Sequence, residues 1–194
     1  MPYVIAPLDK VKGEGAWPEF GAVLKSVEDA GIRRAQETWG GYTLGGLYPG
    51  DRQFGMGAMR AREMAHDVTS STLSGTYSFR KNLGATGWHT LFDYIVRDDI
   101  IHAFAGFQIS DEILNIIELR LEIGDRMYPI MNIEQAQGWG AFAILFKEDA
   151  GNELIAVEKT RVYVRGRVTA TGYQTIVPLG YQLFRRKDLV ISET

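Results

Sequence analysis

The chain has 194 residues, 45% of them hydrophobic and 23% charged, with a formal charge of −3, no cysteine and three histidines. That is the size of one large domain, or of one domain with an arm, and it is too apolar for a disordered chain. A disulfide framework, a thiolate nucleophile, a zinc finger and an iron–sulfur site are all excluded, and His66, His89 and His102 are a poor basis for a multi-histidine metal site.

The N-terminus, Met1-Pro2-Tyr3-Val4-Ile5-Ala6-Pro7, has no basic region followed by an apolar core, so it does not read as a secretory signal. Over 17–36, Phe20, Val23, Leu24, Val27 and Ile32 recur at three- and four-residue spacing and predict an amphipathic helix. Pro18 suits its first turn and Gly31 ends or interrupts it. Residues 39–50 are rich in glycine, each of which would cost a helix about 1 kcal/mol relative to alanine. The interspersed Trp39, Tyr42 and Tyr48 predict a segment that packs on something. A short second helix is expected over 56–66. Residues 1–71 thus read as a helical, glycine-rich N-terminal arm.

After residue 72 the period changes to two. Ile117, Leu119, Leu121 and Ile123 alternate with Glu118, Arg120 and Glu122, as in a strand with one buried face. Val162, Val164 and Val168 alternate in the same way with Arg161, Tyr163, Arg165 and Arg167. The 142–146 segment is apolar on both sides. Further strands are expected over 76–80, 90–96, 101–109, 127–133, 153–157, 173–178 and 181–184. The 88–96 stretch is read as strand, although Leu91, Tyr94 and Ile95 would also share a helical face. Turns are expected at Gly124-Asp125-Arg126, 148–152, Ala170-Thr171-Gly172 and Pro178-Leu179-Gly180. Closely spaced strands without intervening helices predict a mainly β fold for 72–194, an antiparallel β-sandwich. The longest uncharged stretch, 168–184, is too polar to span a membrane. No glycosylation sequon occurs, so the chain is expected to be made in a cytoplasm.

Charge is uneven along the chain. From 98 to 158 there are twelve acidic and three basic residues, a net of −9; from 159 to 187 there are seven basic and no acidic residues, a net of +7. Cross-strand pairing within one sheet accounts for this most simply. A sharper reading places the two signs on different flanks, so that like subunits attract head to tail. Nucleic-acid binding is disfavoured, since the net charge is negative and Tyr163 is the one aromatic interleaved with Arg161, Arg165 and Arg167.

Reactive constellations are thin. In Asp98-Asp99-x-x-His102, a strand would put Asp98 and His102 on one face, but a turn at Asp98-Asp99 with a locally satisfied His102 is the simpler reading. Ser70, Ser71 and Ser74 lie outside any Gly-x-Ser-x-Gly elbow. Gly55-Met56-Gly57 lacks the strand and the Gly-Lys-Ser/Thr ending of a phosphate loop. Glu118 and Glu122 on one strand would stand roughly 13 Å apart, beyond the roughly 5 to 9.5 Å used by glycosidases. No catalytic residue, metal ligand, cofactor or small-molecule substrate is expected. Trp88, Trp139, Tyr163, Tyr173 and Tyr181 suit core packing, or else an exposed aromatic face for a sugar or a subunit.

From about residue 76 to 191, the run of short strands resembles the single-jelly-roll capsid protein of a tailless icosahedral virus. The residues carrying the resemblance are Trp88-His89-Thr90-Leu91-Phe92-Asp93-Tyr94, 117–129, 142–147 and 161–178. It implies eight strands in two sheets, no catalytic residue, and residence in a virion. It also implies an N-terminal arm that contacts neighbouring copies, an internal membrane or another shell protein. A self-assembling structural protein is therefore expected, with Trp39 and Tyr42 in the arm and Arg165 and Arg167 on the basic strand at subunit contacts. A non-catalytic module binding carbohydrate on an aromatic face is the alternative.

Overall fold

A computed structural model describes residues 3–7, 18–46, 49–60, 72–73, 79–109, 113–134, 141–146 and 154–185. Eight strands form the framework. In chain order they are β5 (Phe79–Leu83), β6 (Gly87–Ile95), β7 (Ile100–Ile109), β8 (Ile116–Ile123), β10 (Met131–Asn132), β11 (Ala141–Phe146), β13 (Arg161–Val168) and β14 (Gly172–Phe184). The larger sheet runs β5-β14-β7-β11 and the smaller β6-β13-β8-β10. The first framework strand pairs with the last, the second with the seventh, the third with the sixth and the fourth with the fifth, all antiparallel. This is a long two-stranded ribbon wound up until β14 meets β7 and β13 meets β8. That winding is the jelly roll, and it makes a β-sandwich.

Six further strands extend the sheets. β1 (Tyr3–Pro7) pairs with β11, and β3 (Gln53–Ala58) pairs with β14 and runs parallel to β2 (Thr43–Leu44). β4 (Thr72–Leu73) adds to β5, β12 (Ile155–Ala156) to β7, and β9 (Arg126–Met127) to β8. Of the first 71 residues, the described strands β1 and β3 pair directly with strands of the large sheet.

Between the sheets lies the main core. Phe79, Phe104, Phe107 and Ile176 of the large sheet meet Leu91, Phe92, Tyr94, Leu119, Leu121, Val162 and Val164 of the small one. Phe79 and Phe92 pack edge to face, with centroids 5.5 Å apart. The alternation along β13 and from Leu119 to Ile123 on β8 does what it predicts, turning one face inward and leaving the charged face out, while Ile116 takes the buried place expected of Ile117 at a register shift against β13. β7 differs, because both of its faces are covered. Ile100, His102 and Phe104 point between the sheets, while Ile101, Ala103 and Ala105 lie beneath the helix α1 (Pro18–Thr38).

Four expectations are corrected here. Helix α1 does not stop at Gly31. A Cβ there would come within 3.1 Å of Leu183 and 3.2 Å of Ala103, so the glycine lets the helix lie close on the sheet at this point. Residues 53–58 form a strand instead of opening a helix, and Met59 and Arg60 follow it as coil; 61–66 lie outside the described residues. The strand expected over 127–133 is broken into β9 and β10. Pro178-Leu179-Gly180 is no turn: β14 runs through it with a register shift between Leu179 and Gly180. Gly180 has φ +145°, and a Cβ there would sit 2.1 Å from the Ala103 carbonyl oxygen, so a bulge only glycine can make replaces the expected reversal.

The strand expected over 76–80 is found at Phe79–Leu83. The strand expected over 142–146 is present as β11; the burial expected on both of its sides and the turn at 148–152 lie outside what the structure describes.

Candidate assembly surface

The outer face of the small sheet gathers the basic strand. Arg161, Tyr163, Arg165 and Arg167 project from β13 between β6 and β8. Arg161 grips Asp93 with two hydrogen bonds, Nε at 2.8 Å and Nη2 at 2.6 Å. The guanidinium of Arg161 beside it holds the Asp93 carboxyl below the ordinary carboxylate range. Arg167 reaches Glu118 at 3.4 Å. Lys159 lies 3.7 Å from Asp98, and Arg185 contacts Asp99 and Glu158. Acidic and basic blocks thus interleave across strands, which is the simpler of the two charge readings.

Two arginines stand apart from that pattern. Arg165 lies in register with Arg120 on β8, so two like charges face each other. Among the described residues, neither has a carboxylate partner, and the Nε of each is covered without a hydrogen bond. Both guanidiniums flank the indole of Trp88, at 5.7 Å for Arg120 and 5.9 Å for Arg165. Trp88 itself is 37% exposed. The Thr90 and Tyr163 hydroxyls bond to each other at 2.9 Å beside them.

Trp39 and Tyr42 sit elsewhere, where α1 ends against the large sheet. Trp39 is only 3% exposed, so its ring is covered within the chain itself. Its ring packs on Phe54 and its indole N–H donates to the Glu158 carboxylate. Arg185, at the end of β14, stacks over Trp39 at 5.1 Å and over the half-buried Tyr42 at 5.6 Å, and also donates to Glu158. Trp39 and Tyr42 therefore lock the end of the helix to the sheet within one chain.

Asp98, Asp99 and His102 do not converge. The two aspartates form a turn, with Asp99 at φ +67°, and His102 points between the sheets. Its Nδ1 is 2.7 Å from the Tyr94 hydroxyl, and burial pushes its pKa down to about 3, so the ring is neutral. Among the described residues no three acidic or histidine side chains are placed to hold a metal ion, and no helix is long and apolar enough to cross a membrane.

Several exposed apolar side chains complete the surface. Met127 is 69% exposed beside β8, and Ile113, in the loop before β8, is 74% exposed. That loop is pinned to β14, because the Gln174 amide oxygen accepts from Asn115 N at 2.6 Å and Ile116 N at 3.3 Å. A rigid loop presenting an isoleucine to water is a feature that alternation could not single out, since Ile113 lies outside any periodic run. Trp88 and Arg120 were visible as residues, but nothing in the sequence joined them. Comparison with protein-family models, with curated proteins and with solved structures finds no match for this chain.

Proposed function

We propose that this chain is a structural, non-enzymatic subunit of a virion shell, made in a host cytoplasm and assembling with copies of itself or with a second shell protein. The observation that carries the reading is the wound-ribbon strand order, an architecture recurrent in capsid proteins as well as lectins and cupins. A sandwich of this kind is a rigid brick, with loops at its ends free to meet neighbours. Ile113 and Met127, standing in water on either side of β8, supply apolar contact area of the sort that assembly would cover. The pairing of Arg161 and Arg167 within the chain counts against head-to-tail charge attraction and against nucleic acid. The exposed Ile113 and Met127 favour apolar contacts as the drive for association.

Light scattering and negative-stain electron microscopy on the purified chain, alone and with its co-expressed neighbours, test this. Closed particles, rings or a defined complex are expected, with Ile113→Asp reducing them while leaving the melting temperature unchanged. A species that stays monomeric across salt and concentration and takes no partner overturns the reading.

A further inference from the structure

The open face of the small sheet holds a charge arrangement that the fold does not need. Like charges directly opposite on neighbouring strands are destabilising. Arg120 and Arg165 are nevertheless placed opposite each other, with no carboxylate among the described residues bonded to either. The surrounding acids are otherwise placed. Asp93 is held by Arg161, Glu118 by Arg167, and Glu122 sits in register with Tyr163. With each Nε covered and without a hydrogen bond, and with no side-chain hydrogen-bond or ion-pair partner for either arginine among the described residues, the terminal nitrogens of both guanidiniums are the donors left to a ligand. Their forks suit one oxyanion, gripped from two sides. Trp88 adds a partly exposed flat ring within reach of both.

We propose that Arg120, Arg165 and Trp88 form a binding site for an acidic saccharide, one whose ring carries a carboxylate or a sulfate. Such a ligand presents an apolar C–H face and an oxyanion on the same ring, which matches an indole bordered by two guanidiniums. A nucleic acid matches less well. It would lay a row of phosphates over a face where Asp93, Glu118 and Glu122 accompany four arginines, leaving one surplus positive charge. The hydroxyl pair of Thr90 and Tyr163 at the border offers polar contacts to sugar hydroxyls. The site lies within a single chain, so it stands or falls separately from shell assembly.

The test is titration of the isotopically labelled full chain, following the Trp88 indole N–H resonance, assigned by its absence in Trp88→Phe. Probes are a heparin-derived sulfated uronate disaccharide, a neutral disaccharide, inorganic sulfate and a short DNA duplex. Saturable binding of the sulfated disaccharide is expected, weakened about tenfold or more by Arg120→Gln with Arg165→Gln, and by Trp88→Ala. The neutral disaccharide and inorganic sulfate are each expected to bind at least about tenfold more weakly. Should the double glutamine variant fold poorly, Arg120→Lys with Arg165→Lys keeps the charge, removes the forks and should still weaken binding. No saturable shift, equal binding by the neutral disaccharide or by sulfate alone, affinity indifferent to both arginine pairs, or tighter binding of the duplex overturns the proposal.

Discussion

The outer faces of the two sheets began from the same strand pattern and met opposite fates. On β7 the outward residues are Ile101, Ala103 and Ala105, all apolar, and α1 lies on them with Gly31 close against Ala103. On β13 the outward residues are Arg161, Tyr163, Arg165 and Arg167, and nothing among the described residues covers them. A sheet face is thus covered or open according to what alternates with its core residues. The helix that does the covering has a matching stripe of Val27, Ala30 and Ala35. Burying such a stripe is favourable by roughly 25 cal/mol per Å² of apolar surface, so the cover is a stable layer of the fold.

The sharpest way to break this contrast is at the covered face. Trp39→Ala removes the ring that joins α1 to Phe54, Glu158 and Arg185, and should destabilise the chain by about 3 to 5 kcal/mol. Calorimetry would register this as a fall in melting temperature of roughly 10 °C. An unchanged melting temperature with lost assembly would return Trp39 to the subunit interface.

The inner space between the two faces responds to acid. His102 is neutral when folded, with a pKa near 3, against 6.5 for the exposed group. Between those values the unfolded chain binds the extra proton, so stability rises with pH and is lost as pH falls below about 6.5. The slope from this group is at most about 1.4 kcal/mol per pH unit. Denaturant melts of the native chain and His102→Asn at several pH values would show it; parallel curves would mean that His102 contributes nothing to the acid sensitivity.

The open face should be the least sensitive. Arg161→Ala removes a solvent-exposed pair with Asp93 and is expected to change stability by less than about 1 kcal/mol. A loss larger than that of Trp39→Ala would reverse the contrast between covered and open faces.

Much of the framework was legible because periodicity is local. The alternation of Ile117 to Ile123 and of Val162 to Val168, the apolar stripe of α1, and the turn at Gly124, where φ is +59°, each depend on neighbours within a few residues. Pro178-Leu179-Gly180 misled for the same reason. Residues that favour a turn in isolation become a bulge when β7 supplies a carbonyl against which only Gly180 fits. Residues 53–58 likewise became a strand, because the far end of β14 was there to pair with them. The contact residues were hardest to read. Trp39 meets Glu158 across 119 positions, and no local signal marks that meeting.

Composition and spacing by themselves determined that the chain is mainly β after residue 72, that one amphipathic helix precedes it, and that one strand would carry a row of arginines. The tertiary structure alone decided which of those arginines are neutralised, that the glycine-rich segment joins the large sheet, and that Arg120 and Arg165 share the ring of Trp88. The reason is physical. Burial patterns repeat every two or 3.6 residues within one segment, whereas the partners of Arg161 and Arg167 lie 68 and 49 positions away and are assigned only when strands lock into register.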